Sequence, residues 1–389
     1  MTERDYDLVL LGATGFTGRL TAAHLAARLA ELPGDLAPRW AIAGRDRTRL
    51  EAVAAELPGE VGIEVVDVHD LVGLLELTAR TRVLATTVGP YARHGELVAQ
   101  ACVRSGAHYA DITGEPAFVT LLRQRYDADA RRAGVKLVSC CGFDSVPHDL
   151  GARFTVAQLP DDEPITLRGY VGGQGRPSGG TAHSALDAVA ARAIPLGAAR
   201  VPDDPGARRV AVGLTPRIHR VDELDAYGVP MPTVDASIVL RSAQVLDGYG
   251  RAFRYGHYVR VRRLPTVIAG VGALGVAAGM ASLAPTRALL RRALPDPGTG
   301  PDEATRARSR FDVTFLGRAG AATAITRVSG RDPGYGGTAA MLGEAALSLA
   351  FDDGPDTSGA LTPAVALGAP YHDRLVDQTL SFEVLATAE

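Results

Sequence analysis

Three glycines at a regular spacing carry the clearest chemical signal in the sequence. They follow a short apolar run at residues 7–11 and precede a stretch rich in alanine and leucine. Glycines at these positions permit a tight strand-to-helix turn, and they let the backbone approach a pyrophosphate at the helix N-terminus. We interpret the segment as a dinucleotide-binding turn, with a plain strand–helix turn as the alternative. Its residues are Gly12, Ala13, Thr14, Gly15, Phe16, Thr17 and Gly18.

The end of the second predicted strand indicates which dinucleotide binds. NAD sites usually place an acidic residue there, on the ribose hydroxyls, whereas this strand ends in Gly44 and Arg45. A guanidinium can make paired hydrogen bonds to a 2′-phosphate and can stack on adenine. The sequence therefore predicts NADPH/NADP⁺ as the cofactor.

The ends of the later strands are expected to line the same site. In open α/β sheets, ligands bind in the crevice at the carboxyl ends of the strands. The groups near residues 87–91 and 141–144 are best placed for the nicotinamide. The further predicted cofactor-binding residues are Asp67, Val68, Thr87, Gly89, Pro90, Tyr91, Cys141, Gly142 and Phe143.

The lysine content excludes two other nucleotide-binding families. Lys136 is the only lysine, and the residue four positions before it is Arg132. Short-chain dehydrogenases share the early glycine spacing but need a Tyr-x-x-x-Lys pair, which this sequence does not contain. A P-loop is excluded as well, because no Gly-Lys-Ser/Thr sequence occurs.

Several motifs, in the same order along the chain, resemble the saccharopine dehydrogenase-like oxidoreductases. They are residues 12–18, 43–45, 87–91, 109–115 and 142–147. Three more, at residues 178–181, 255–258 and 332–336, are similar to an actinobacterial branch called trans-acting enoyl reductases.

The resemblance implies an NADPH enzyme with an N-terminal Rossmann domain and a second domain that shapes the substrate site. In that branch the substrate is an α,β-unsaturated acyl or polyketide chain, reduced in trans while it is held on a carrier such as an acyl carrier protein. Two alternatives stay open. One is an imine or amino-acid-linked reductase of the saccharopine type, and the other is an NADP-binding scaffold without turnover.

Enoyl reduction needs donors for the thioester oxygen and a proton for the α-carbon. The candidates are Tyr91, His94 and Asp144, each of which follows a predicted strand. Each has a structural alternative. The Tyr91 ring can pack against the cofactor, His94 can be a solvated loop residue, and Asp144 can cap the next helix.

A second group is predicted to bind substrate. Residues 178–181 open a predicted helix whose free N–H groups can receive a substrate oxygen or phosphate, or they form a flexible helix cap. Two tyrosines flank a histidine in an arginine-rich segment and either line the pocket or pack between domains. These candidates are Ser178, Gly179, Gly180, Thr181, Tyr255 and Tyr258.

The elements that position these residues fall into two patterns. Up to about residue 148, short apolar strands alternate with helices, which predicts a doubly wound parallel sheet in an α/β Rossmann domain. Residues 149–330 predict an α+β domain for substrate binding and dimerisation, with a hairpin at 311–328 and a helix at 181–194. Residues 331–389 predict a helix that begins at Asp332-Pro333 and a tail, and the sequence leaves open whether they return to the first domain.

An uncharged segment at residues 266–284 is long enough to span a bilayer. A span there would separate strands expected in one domain, so we reject a transmembrane helix. We expect the segment, within 264–285, to border the path of the acyl chain or to contact a membrane surface.

Composition sets the remaining bounds. The net charge of −3 gives no general attraction to nucleic acid. The three cysteines, Cys102, Cys140 and Cys141, form no disulfide framework and no Cys-x-x-Cys pair, so we predict no metal site. The chain is expected to be cytoplasmic and to form a homodimer.

Overall fold

A computed structural model describes residues 4–31, 38–174, 198–202, 204–269 and 300–389, together with residues 273, 280 and 286. These residues form two compact units. Unit 1 holds the described residues up to Val146 and the segment Asp332–Thr379. Unit 2 holds those of Pro147–Arg331 and of Leu380–Glu389. The final strand therefore belongs to unit 2, while the two helices before it belong to unit 1.

In chain order the strands are β1 (Tyr6–Leu11), β2 (Trp40–Gly44), β3 (Gly62–Val65), β4 (Thr81–Thr86), β5 (His108–Asp111), β6 (Lys136–Val138), β7 (Ile165–Gln174), β8 (Val210–Gly213), β9 (His219–Val221), β10 (Ala226–Pro230), β11 (Ala252–Val261), β12 (Arg310–Ala319), β13 (Ala322–Arg331), β14 (Gly359–Leu361) and β15 (Leu380–Ala388). The main helices are α1 (Phe16–Ala30), α2 (Arg47–Ala54), α3 (Leu71–Ala79), α4 (Tyr91–His94), α5 (Glu96–Ser105), α6 (Pro116–Ala133), α7 (Val146–Val156), α8 (Asp235–Val245), α9 (Glu303–Arg308), α10 (Gly336–Phe351) and α11 (Pro363–Gln378).

Unit 1 is built on a seven-stranded sheet in the order β14-β6-β5-β4-β1-β2-β3. Every neighbouring pair is parallel. Val9 and Leu10, consecutive residues of the inner strand β1, point to opposite faces and are both fully buried, which explains why the sequence shows a continuous apolar run rather than an alternation. The predicted doubly wound parallel sheet is confirmed.

Helix α10 runs through the interior of unit 1, and every residue from 337 to 350 is buried. Its Glu344 carboxylate lies 2.8 Å from His24 Nε2 and accepts from Arg28 Nε of α1 at 2.8 Å. The second oxygen accepts from Arg374 of α11 at 3.4 Å. A buried carboxylate is costly unless it is paired, so these partners fix the C-terminal helices against α1.

The predicted start of α10 is wrong. Asp332 adopts a left-handed φ of 42°, and the chain turns through Tyr335 before the helix begins at Gly336. The Asp332 carboxylate still accepts a hydrogen bond from Gly336 N at 2.7 Å. An aspartate before a proline therefore marked the turn that precedes the helix rather than its N-cap.

Unit 2 is built on a mixed sheet in the order β15-β13-β12-β7-β11-β10-β9, with β8 paired to β11. Most pairs are antiparallel, while β7–β11 and β8–β11 are parallel. The hairpin predicted at 311–328 is β12–β13, which closes at Ala319 and Ala322 around Gly320 with a φ of 57°. An α+β unit with antiparallel strands is confirmed.

Several predictions fall outside the described residues. The substrate candidates Ser178, Gly179, Gly180 and Thr181, the helix at 181–194 and most of the segment 266–284 belong to this group. Among the residues that the structure does describe, no helix combines the length and the apolar character that crossing a membrane requires.

Candidate cofactor and active site

The glycine turn is held between the ends of three strands. Gly12 follows β1 with a left-handed φ of 92°. Its N–H donates to Ala43 O of β2 at 2.8 Å, and its carbonyl accepts from Thr87 Oγ1, beyond β4, at 3.2 Å. The turn is thus fixed at the carboxyl edge of the sheet, where ligands of open α/β folds bind.

The third glycine allows the turn to close. A Cβ on Gly18 would lie 2.1 Å from Gly12 O, so only glycine fits. Helix α1 has no side chain that caps its N-terminus and no acidic residue in its first turn. The positive end of the helix dipole and the bare glycine backbone suit a pyrophosphate, so the residues here fit a dinucleotide. The Phe16 ring packs edge-on against Tyr335 at 5.0 Å.

The guanidinium of Arg45, the residue after β2, can bind an anion. Arg45 is exposed, and among the described residues it has no carboxylate partner, whereas the neighbouring Arg47 and Arg49 pair with Glu51 and Asp46. A guanidinium that is not engaged by a carboxylate suits a 2′-phosphate.

His94 belongs to this end of the site. Its Nδ1 lies 3.1 Å from Nε2 of His69, and Arg45 and Asp67 are among the charges that act on it. Partial burial and the neighbouring His69 lower the pKa of His94. Asp67 Oδ1 accepts from His69 N at 2.9 Å, and Val68 beside it is half-buried. His94 therefore has His69 as a partner, and the charges of Arg45 and Asp67 act on it.

Tyr91 lies in the core of unit 1. Only 5% of it is exposed, its ring packs beside Phe118, and its hydroxyl donates to Thr86 O at 3.0 Å. Burial raises the pKa of Tyr91 well above its ordinary value, with a further contribution from Asp111. A role as proton donor requires that internal hydrogen bond to break, and the ring contacts Phe118 in the protein core.

Glu115 fixes the turn that contains Gly89 and Pro90, a role that the sequence reasoning missed. Its two carboxylate oxygens accept from Tyr91 N at 2.9 Å and from Ala92 N at 3.0 Å. A carboxylate at the start of α4 satisfies backbone donors that the short helix leaves unpaired. The sequence feature that could have identified Glu115 is its position soon after the end of β5, as an acidic residue within the motif at residues 109–115.

Asp144 lies in the turn between β6 and α7. It is half-buried, and its carboxylate lies against the backbone of Gly114, where a Cβ would be 2.7 Å from Oδ2. Burial raises the pKa of Asp144 above its ordinary value. A carboxyl group with a raised pKa keeps its proton closer to neutrality, which suits a general acid.

The backbone around Asp144 is held by two residues that the sequence reasoning did not select. Asp111 accepts from Thr113 N at 2.9 Å and from Cys140 N at 3.1 Å, and burial raises the pKa of Asp111 to about 6. Thr338 of α10 accepts from Phe143 N at 3.1 Å. The contacts of Asp111 with Cys140 and of Thr338 with Phe143 join segments far apart in the sequence, so local patterns did not predict them.

Cys141 and Gly142 are buried beside these contacts. The Cys141 thiol is fully buried and donates to Val138 O at 3.5 Å, and burial raises its pKa well above the ordinary value. A Cβ on Gly142 would meet Thr338 at 3.0 Å. Cys141 therefore packs in the core of unit 1, and the absence of a side chain at Gly142 lets α10 approach closely.

The two tyrosines predicted to bind substrate face different surroundings within unit 2. Tyr255 is fully buried, with its hydroxyl 3.1 Å from His257 Nδ1. Tyr258 stacks on Tyr170 with ring centres 5.4 Å apart. Tyr258 lines an open cavity of about 530 Å³ whose other lining residues include Arg168, Arg217 and Arg220.

Comparisons with known proteins show which family the chain resembles. Residues 8–138 match a family model described as the saccharopine dehydrogenase NADP binding domain. A Mycobacterium tuberculosis protein provisionally named a trans-acting enoyl reductase is 35% identical over 426 residues, covering 100% of this chain and 99% of its own. A Mycobacterium ulcerans protein named trans-acting enoyl reductase is 32% identical over 410 residues, covering 96% of each chain.

A solved structure shares the fold. Saccharopine dehydrogenase (L-Glu forming) from Saccharomyces cerevisiae aligns with a TM-score of 0.55, at 14% identity, over 97% of this chain and 99% of its own.

Proposed function

The chain belongs to the saccharopine dehydrogenase-like oxidoreductases, in the branch of the trans-acting enoyl reductases, and we propose that it reduces the C=C bond of an α,β-unsaturated acyl or polyketide thioester. The cofactor is NADP(H). The observation that carries the proposal is the match along the whole chain to relatives with that name, the first of them 35% identical.

The reaction divides the work between cofactor and protein. When bound, NADPH supplies a hydride to the β-carbon of the unsaturated thioester. The protein then has two tasks: to stabilise the negative charge that develops on the thioester oxygen, and to deliver a proton to the α-carbon. The C=C bond becomes a single bond, and one proton is consumed for each NADPH oxidised.

We assign the proton delivery to Asp144. It is the carboxylic acid among the three candidates, it lies in the turn between β6 and α7, and burial raises its pKa. The Tyr91 hydroxyl is engaged with Thr86, and His94 lies with His69 near Arg45. Ser178–Thr181 remain our candidates for the donors that hold the thioester oxygen.

The cavity in unit 2 supports an anionic carrier. Arg220 is already paired with Asp222 and Asp225, whereas Arg168 and Arg217 have no carboxylate partner among the described residues. Guanidinium groups beside stacked aromatic rings suit a phosphate joined to an extended organic arm. The phosphopantetheine arm shared by acyl carrier proteins and coenzyme A has this chemistry.

The first experiment measures NADPH oxidation against 2-enoyl thioesters of increasing chain length and, in parallel, against keto-acid/amine mixtures. Turnover of the thioesters is expected. Asp144→Asn should slow that turnover by about 10²–10⁴-fold, as loss of a general acid does, while binding NADPH normally. Turnover confined to the keto-acid/amine panel would move the protein to the imine reductases. NADPH binding with no turnover on either panel would favour a scaffold.

The carrier is tested with two thioesters of the same acyl chain, one on coenzyme A and one on N-acetylcysteamine, which has no phosphate. Arg217→Glu should raise KM for the coenzyme A thioester and leave KM for the other unchanged. The matched control is Arg318→Glu, an exposed arginine of β12 outside the cavity. Equal KM changes for both thioesters would exclude phosphate recognition at this cavity.

A further inference from the structure

Three potential metal ligands converge in the interior of unit 2. His148 comes from α7, Asp235 is the first residue of α8, and His257 lies on β11. Their exposed fractions are 0%, 1% and 6%. One ligand atom from each lies within 4.8 Å of the others.

The distances suit coordination better than hydrogen bonding. His148 Nε2 is 3.6 Å from Asp235 Oδ1, and His257 Nε2 is 3.5 Å from Asp235 Oδ2. Both separations are long for a hydrogen bond between these atoms. Ligands around a tetrahedral Zn²⁺, with bonds of about 2.0–2.1 Å, lie about 3.3 Å apart. Each imidazole nitrogen faces a different oxygen of the Asp235 carboxylate, at a distance close to the edge of such a tetrahedron.

Neighbouring hydroxyls orient two of the three ligands. The Tyr255 hydroxyl lies 3.1 Å from Nδ1 of His257, which leaves Nε2 directed toward Asp235. The Thr233 hydroxyl donates to Asp235 Oδ2. Metal-binding histidines commonly use their other ring nitrogen in a hydrogen bond of this kind, which fixes the tautomer and the ring orientation.

We propose that unit 2 binds one Zn²⁺ ion through His148, Asp235 and His257. Two imidazoles and a carboxylate are a ligand set that zinc accepts, and an ion among them would offset the charge of a buried carboxylate. Because the ligands come from α7, α8 and β11, the ion joins three elements of unit 2. The sequence alone predicts no metal site, since the three residues are far apart in the chain and include no cysteine.

The test measures metal content in the full chain, produced without a histidine tag. After treatment with a chelator, the protein is dialysed against Zn²⁺, washed by gel filtration and analysed by mass spectrometry for metals. We expect about one zinc per chain and an unfolding temperature that rises when zinc is restored. Co²⁺ in place of Zn²⁺ should give the visible absorption of a tetrahedral site.

Two variants locate the ion. His257→Gln should lose the bound zinc and the cobalt absorption. His94→Gln should keep both, although His94 and His69 form an exposed histidine pair in unit 1. Wild-type protein with no retained zinc would overturn the proposal, and this result does not depend on how any variant folds. Zinc retained by His257→Gln would overturn it as well.

Discussion

Replacement of single glycines in the turn at residues 12–18 separates the backbone geometry of the turn from its contact with cofactor. In Gly18→Ala, the new Cβ would lie 2.1 Å from Gly12 O and 2.9 Å from Ala13 Cα. Ordinary contact begins at 3.4 Å, and backbone atoms cannot rotate away, so the turn must shift by more than an ångström. Gly15→Ala is the matched control, because its Cβ would meet only Gly12 O, at 3.4 Å, and its φ is −75°.

The expected magnitude follows from these contacts. Overpacking of this kind costs about 3 kcal/mol, and the better helix propensity of alanine returns about 1 kcal/mol. The net loss of about 2 kcal/mol corresponds to a fall of about 4–8 °C in the unfolding temperature of a unit of this size. Loss of one backbone hydrogen bond to the charged pyrophosphate, worth about 1.5–3 kcal/mol, should weaken NADPH binding about 10- to 150-fold.

The assay pairs thermal unfolding, followed by circular dichroism, with titration of NADPH fluorescence. Gly18→Ala should lose both stability and affinity, whereas Gly15→Ala should keep the wild-type unfolding temperature. Any loss of NADPH affinity in Gly15→Ala then reports contact between the methyl group and the cofactor. If Gly18→Ala unfolds and binds NADPH as the wild type does, the account of the turn is refuted.

Three other predictions concern unit 1. Arg45→Glu should weaken NADPH far more than NADH, by at least about 10-fold in the ratio of dissociation constants, and equal losses would contradict the 2′-phosphate assignment. Tyr91→Phe removes the hydrogen bond to Thr86 O and should destabilise the protein by about 1 kcal/mol in urea titrations; turnover slowed by about 100-fold or more would contradict the packing role. Burial opposes ionisation of Glu344, but His24 and its arginine partners lower the pKa below its ordinary 4.5. Glu344→Gln should therefore cost about 3–5 kcal/mol at pH 7, and the difference from wild type should shrink as pH falls below 4.5; a constant difference would contradict the ion-pair network.

Short sequence patterns predicted those features of unit 1 that depend on contacts between residues close together in the chain. The apolar run at residues 7–11 marked β1 because a central parallel strand is buried on both faces. The spacing of Gly12 and Gly18 marked the turn because the contact with Gly12 O is made within seven residues. Arg45 indicated NADP(H) because it directly follows β2, where NAD sites carry an acidic residue.

Long-range contacts account for what the sequence did not predict. Thr338 reaches Phe143 across half of the chain, and Glu344 reaches His24 across most of it. The engagement of Tyr91 with Thr86 depends on how the chain folds back after β4, which no spacing reveals. The clustering of His148 with residues of α8 and β11 likewise arises only in the folded unit.

The central claim is that hydride reaches the β-carbon of an unsaturated thioester. The direct measurement uses NADPH deuterated at C4 of the nicotinamide, on either face in separate reactions, with mass spectrometry and NMR of the product. The account predicts a saturated thioester that carries one deuterium at its β-carbon from only one of the two labelled cofactors. Deuterium found instead in the amine product of a keto-acid/amine mixture, with no saturated thioester formed, would contradict it.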